Sequence, residues 1–228
     1  MFLKKGSLGL SSALVSCLKL CYELLPQIPP RKLFADPCRC IVYTDASWQR
    51  GRTGTIAGVL IDLEQVTDAS TPEGLGILSY WKYDVHKHMT HEKFASFPIN
   101  VLESIAPTVS VQVWGELFRN SRVEMYIDNS SAQGCLIRMN SGKPHLAVMS
   151  FEFWRSCSLL SISPYIDRVP SADNIADLPT KVNLLSFFRE FFNTREVPLS
   201  DKIVQDLHRL LMLDVRWKEI LIDGIAQA

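Results

Sequence analysis

No charge of either sign prevails in this chain: 24 Lys and Arg stand against 24 Asp and Glu, and the formal net charge is zero. That balance sets it apart from histone-like and polybasic nucleic-acid binders, whose affinity comes from bulk phosphate neutralisation. Long apolar runs are missing as well. None approaches the roughly 20 residues that a membrane-spanning helix requires, so no membrane partner is expected. The six cysteines, Cys17, Cys21, Cys38, Cys40, Cys135 and Cys157, are scattered, and no two CxxC pairs occur at zinc-finger spacing. They read as reduced thiols of an intracellular protein, in nucleus or cytoplasm alike. Internal repeats and low-complexity tracts are absent. What remains is a chain of 228 residues, 47% hydrophobic and 21% charged, with the profile of a globular protein built on one substantial core.

The basic start Met1 to Lys5 and the apolar stretch Gly9 to Leu18 have the outline of a secretory signal. Leu10, Leu14, Leu18 and Leu25, with Cys17 and Cys21, instead recur at three- and four-residue steps, which predicts one face of a helix. Pro26, Pro29 and Pro30 end it. Residues 1–36 therefore read as a helical extension, 37–195 as an α/β domain and 196–228 as a second helical extension. Within the domain, strands are expected at Cys40 to Asp45, Thr55 to Ile61, Leu75 to Tyr83, Arg122 to Ile127 and Ile162 to Val169. Helices are expected at Ile99 to Phe118, Ser130 to Met139, Pro144 to Leu160 and Asn174 to Phe192. This order makes a five-stranded mixed sheet flanked by helices. Pro107 predicts a kink in the first long helix, because an interior proline costs ~3 kcal/mol. Ser200 caps a last helix whose stripe is Ile203, Leu207, Leu210, Leu211 and Val215, packed on the domain or on a partner.

Four acids stand out by position. Asp45 ends the first strand in Tyr43-Thr-Asp-Ala-Ser47, and Asp128 ends the fourth in Tyr126-Ile-Asp-Asn-Ser130. Glu103 lies in the first long helix, and Asp177 in the helix after the fifth strand. All have apolar neighbours. Several buried carboxylates repel one another, and such a group persists best around a divalent cation. Oxygen ligands with no convergent His or Cys point to Mg²⁺ or Mn²⁺ rather than zinc.

The motifs that carry these acids resemble the ribonuclease H domains of reverse-transcribing retroelements, over about Cys38 to Phe192. They are Tyr43-Thr-Asp-Ala-Ser47, Ile99-Asn-Val-Leu-Glu-Ser-Ile-Ala106 with Trp114-Gly115 downstream, Tyr126-Ile-Asp-Asn-Ser-Ser-Ala132, and Val169-Pro-Ser-Ala-Asp-Asn-Ile-Ala-Asp-Leu-Pro-Thr-Lys181. The last is similar to the endings of long-terminal-repeat and tyrosine-recombinase elements. The resemblance implies a ribonuclease H-like fold and hydrolysis of the RNA strand of an RNA·DNA hybrid by two metal ions. It makes Asp45, Glu103, Asp128 and Asp177 both the catalytic residues and the metal ligands. Asp45 would bridge both ions, Glu103 and Asp128 would serve the leaving-group side, and Asp177, rather than Asp173, would complete the water side. Leu24-Leu-Pro-Gln-Ile-Pro-Pro-Arg31 resembles the segment joining a polymerase to its ribonuclease H domain, which implies a polymerase domain or chain as a partner. Three features depart from the family. Pro170 to Asn174 holds no histidine, Pro107 follows Glu103 by one turn, and no basic substrate-gripping helix is evident.

The plainer readings are local ones. Asp45 and Asp128 suit Asx turns at strand ends, Glu103 a solvated helix position, and Asp177 a helix first turn. A catalytically degenerate module that binds nucleic acid or a protein partner is the non-enzymatic alternative, and a transposase or integrase core the third. His86, His88 and His91 read as an exposed connection rather than a zinc site. Trp81, Trp114 and Trp154 read as core, with Trp48 the best base-stacking exception.

Overall fold

The computed structural model describes residues 36–48, 54–68, 71, 73–85, 99–139, 141 and 143–212, together with 19, 22, 23 and 26. The expected N-terminal leucine stripe, His86, His88, His91 and Val215 lie outside these residues. The β-branched and aromatic runs form a meander of three antiparallel strands, β1 (Asp36–Ser47), β2 (Thr55–Asp62) and β3 (Ile77–Asp84). β1 extends beyond the expected Cys40 to Asp45 at both ends. β3 starts later than expected because Glu73–Leu75 forms a 3₁₀ turn and Gly76 adopts φ +66°. Any side chain there would press on the Asp62 carbonyl.

Helix α1 (Ile99–Trp114) follows, and every residue from Val101 to Val111 is buried. Pro107, where a kink is expected, lies inside this helix, which continues to Trp114. Proline removes the amide that would bond the Glu103 carbonyl, and the helix continues nonetheless within the buried stretch from Val101 to Val111. Then come β4 (Ser121–Ile127), α2 (Ser130–Arg138), α3 (Pro144–Leu159) and β5 (Ser163–Arg168). The helix expected over Asn174 to Phe192 is instead two, α4 (Asp177–Thr180) and α5 (Val182–Phe191), separated by extended Lys181. Pro179 cannot supply the amide that continuity would require.

The sheet order is β5-β4-β1-β2-β3-β6, with β4 and β5 parallel to β1. It has six strands rather than five. The sixth, β6 (Arg195–Glu196), is too short to show a period; it pairs parallel with β3, and Tyr80 Oη donates to Glu196 at 3.0 Å. The main core lies between one sheet face and α1 with α3, and includes Val42, Leu60, Trp81, Ile105, Val109, Met125 and Phe153. Here β2 and α1 approach closely. A Cβ on Gly58 would strike Trp81 Nε1 and Ser110 Oγ, which hydrogen-bond each other at 3.1 Å. On the other face Val59, Tyr80, Ala176 and Phe188 form a second cluster beneath α4 and α5. A final helix, α6 (residues 201–212), adds Leu207, Leu210 and Leu211 to the main core, so its stripe packs on the domain. Trp81 and Trp114 are buried, and Trp154 and Trp48 pack against the same core.

Candidate metal centre

The register of β1 with β4 places Thr44 beside Ile127, so Asp45 and Asp128 leave adjacent strands at the same end of the sheet. Glu103 reaches them from the second turn of α1. The carboxylates of Asp45, Glu103 and Asp128 offer ligand atoms that all lie within 4.8 Å of one another, the one such acidic group among the described residues. Asp45 and Glu103 are each only 3% exposed and Asp128 is half-buried.

The local turn reading fails at both strand ends. At β4 the helix cap is Asn129, whose Oδ1 accepts from the amides of Ser131 and Ala132, both at 3.0 Å. Asn129 Nδ2 also donates to Asn100 Oδ1 at 2.9 Å, which ties the start of α1 to the end of β4. At β1 the partners of Asp45 come from far along the chain. Thr180 Oγ1 lies 2.9 Å from Asp45 Oδ2, and Asn174 Nδ2 donates to the Thr44 carbonyl at 3.0 Å and to Asp45 Oδ1 at 3.4 Å. Asn174, Thr180, Asn129 and Asn100 all lie within the motifs that carry the resemblance, but their positioning roles depend on long-range contacts that the motifs do not reveal.

Burial pushes the Asp45 carboxyl up to about 6; the Thr180 hydrogen bond opposes it, and the charges of Asp128 and Asp177 add to it. Glu103 is pushed up to about 9 by burial first and then by Asp45 and Asp128, against a backbone hydrogen bond from Ala46. Glu103 Oε2 is buried with no hydrogen-bond partner. A buried carboxylate oxygen without a donor, facing two further carboxylates, fits a hard divalent cation.

Asp177 opens α4, and its charge reaches both Asp45 and Glu103. Its carboxylate is ion-paired with Lys181, and it stands outside the group of three. Asp173 is exposed and acts on Tyr43 instead. Arg168, at the end of β5, donates from Nε to the Asp128 carbonyl at 3.3 Å.

No family model matches the chain, and neither does any curated protein. Among solved structures, it is similar to the N-terminal ribonuclease H domain of a Mycobacterium tuberculosis protein, at 12% identity and a TM-score of 0.48, over 66% of this chain and 96% of that one. It is also similar to ribonuclease H1 of the archaeon Halobacterium salinarum, at 14% identity and 0.46, over 67% and 98%. A third is LC11 ribonuclease H1 in complex with an RNA/DNA hybrid, at 16% identity and 0.44, over 60% and 88%. At these values the likenesses add nothing on chemistry, which rests on the carboxylates themselves.

Proposed function

We propose that this chain is a divalent-metal-dependent endonuclease of the ribonuclease H type, acting on the RNA strand of RNA·DNA hybrids. In this reading Asp45, Glu103, Asp128 and Asp177 hold two Mg²⁺ or Mn²⁺ ions. The observation that carries it is the convergence of Asp45, Glu103 and Asp128, drawn from β1, α1 and the end of β4, within 4.8 Å and with an unpartnered Glu103 oxygen among them. When bound, such ions supply an activated water and offset charge on the departing 3′-oxygen. In the reaction, a water oxygen bonds to phosphorus and the P–O3′ bond breaks, leaving a 3′-hydroxyl and a 5′-phosphate.

The chain's own contribution is preorganisation. Asn174 and Thr180 orient Asp45, and the Asn100–Asn129 bond holds α1, and with it Glu103, against the end of β4. The RNA strand is distinguished by helix shape and by its 2′-hydroxyl. The motif series from Tyr43 to Lys181 supports a retroelement origin, and the segment Leu24 to Arg31 supports a polymerase domain or chain as a partner. No helix among the described residues is long and apolar enough to cross a membrane.

One observation favours a second reading. The fourth acid is engaged by Lys181 outside the group of three, an arrangement compatible with a module that binds hybrid without cutting it. Incubating the full chain with hybrid labelled on the RNA strand, in Mg²⁺, Mn²⁺ or chelator, separates the two. Metal-dependent shortening of the RNA is the expected result. Binding of hybrid with no cleavage in either metal would replace the enzyme with the binding module.

A further inference from the structure

The segment that follows β5 is fastened to the end of β1 at two points, six residues apart. At one, the Asn174 amide donates to the Thr44 carbonyl and to Asp45 Oδ1. At the other, Ser47 Oγ donates to the Thr180 carbonyl at 3.1 Å and the Thr180 hydroxyl meets Asp45 Oδ2. Asp177 sits midway between these anchors. Thr180 Oγ1 also lies 2.8 Å from the Asp177 carbonyl, so one hydroxyl hydrogen serves two acceptors, the carboxylate of one acid and the backbone of another. Thr180 is 3% exposed, and bulk water does not compete for that hydrogen. A charged acceptor forms the stronger bond, so ionised Asp45 takes the hydrogen while the hydroxyl oxygen stays against the first turn of α4.

We propose that Thr180 is a positioning residue for cation binding. Its hydroxyl fixes the rotamer of Asp45 and sets the distance from Asp45 to the helix that presents Asp177, coupling the group of three acids to the fourth. This rests on the metal-binding reading above. Nothing in a strand-and-helix pattern requires a hydroxyl at residue 180. An alanine would keep the anchors at Ser47 and Asn174 but would leave Asp45 Oδ2 without the Thr180 donor.

The test is Mn²⁺ binding to the full chain in the absence of nucleic acid, followed by calorimetry or by the electron paramagnetic resonance of free Mn²⁺. Thr180→Val removes the hydroxyl at nearly constant volume, and Thr180→Ala removes it with no added bulk in case the valine disturbs the fold. Both are expected to weaken Mn²⁺ binding about 10-fold, and Thr180→Ser, which keeps the oxygen, is expected to restore it. In hybrid cleavage the loss should fall on kcat at saturating hybrid, with KM for hybrid unchanged, and high Mn²⁺ should recover part of it. A variant that melts lower yet binds Mn²⁺ like the wild type would overturn the proposal, leaving Thr180 a purely structural contact. Wild-type protein that binds no Mn²⁺ would instead overturn the metal-binding reading, and this inference with it.

Discussion

The two sides of the carboxylate site are built in different ways. Asp45, Glu103 and Asp128 stand on long regular elements, and two of them are almost wholly buried. Asp177 stands on a helix of four residues, with its side chain 32% exposed and ion-paired with Lys181. Gathering the first three acids costs folding free energy that only protons or a cation return. The fourth costs little, since an exposed pair is worth about 0–1 kcal/mol and yields readily to a stronger cation. A rigid face with its electrostatic cost already met thus opposes an adjustable one, and a cation that binds the first should draw in the second.

The sharpest way to break this contrast is Asp128→Asn. The amide keeps the shape and loses the charge, so hybrid cleavage should fall at least ~100-fold, about 2.7 kcal/mol of transition-state stabilisation. Carboxylate repulsion is relieved at the same time, so the melting temperature of the metal-free protein should hold level or rise. A variant that cuts as well as the wild type would remove Asp128 from the site.

The pH dependence of stability comes next. Asp45, at about 6, and Glu103, at about 9, are both raised above the ordinary carboxylate range. Their protonated forms are therefore favoured by folding. The stability this contributes is fully present below about pH 4, is lost in part as pH rises through 6, and is lost further towards 9. Metal-free protein should melt several degrees lower at pH 9 than at pH 5, at roughly 2–4 °C per kcal/mol. Adding Mg²⁺ or Mn²⁺ should shrink the difference; an unchanged difference with saturating metal would mean the cation does not meet these carboxylates.

Smaller effects probe the adjustable side. Asp177→Asn should lower cleavage by about 10-fold, less than Asp128→Asn, because only the second face is weakened. A larger loss than that of Asp128→Asn would reverse the ranking of the two faces. Lys181→Gln should change Mn²⁺ affinity by no more than about 3-fold, and upward, since it frees Asp177 from an exposed pair. Asp173→Asn, the control on the same segment, should leave both cleavage and binding within about 2-fold.

The same division governs what was legible in the sequence. β1, β2, β4 and α1 carry strong periods, so the placing of Asp45 and Asp128 at strand ends and of Glu103 on a helix turn is legible as a local feature. The register of β1 with β4 then set Asp45 beside Asp128. Beyond β5 local signals thin out. The apolar residues from Asn174 to Phe192 suggested one helix, yet Pro179, and the burial of Ala176 and Thr180 against β1 and β2, divide it in two. Pro107 does not end α1, which continues past it to Trp114. Asn174 and Thr180 act on Asp45 from 129 and 135 residues away, a relation that no spacing rule contains. β6 escaped notice because two residues hold no pattern.

The central claim is that Asp45, Glu103 and Asp128 together form a cation site, and diffraction tests it most directly. Crystals of the full chain soaked in Mn²⁺ at pH 7.5 should show an anomalous scattering peak among the three carboxylates, with oxygens from all three facing it and the Glu103 Oε2 atom newly engaged. The peak should vanish in Asp128→Asn. An Mn²⁺-soaked crystal with no anomalous density at the three acids, or with a peak that persists unchanged in Asp128→Asn, would contradict the account.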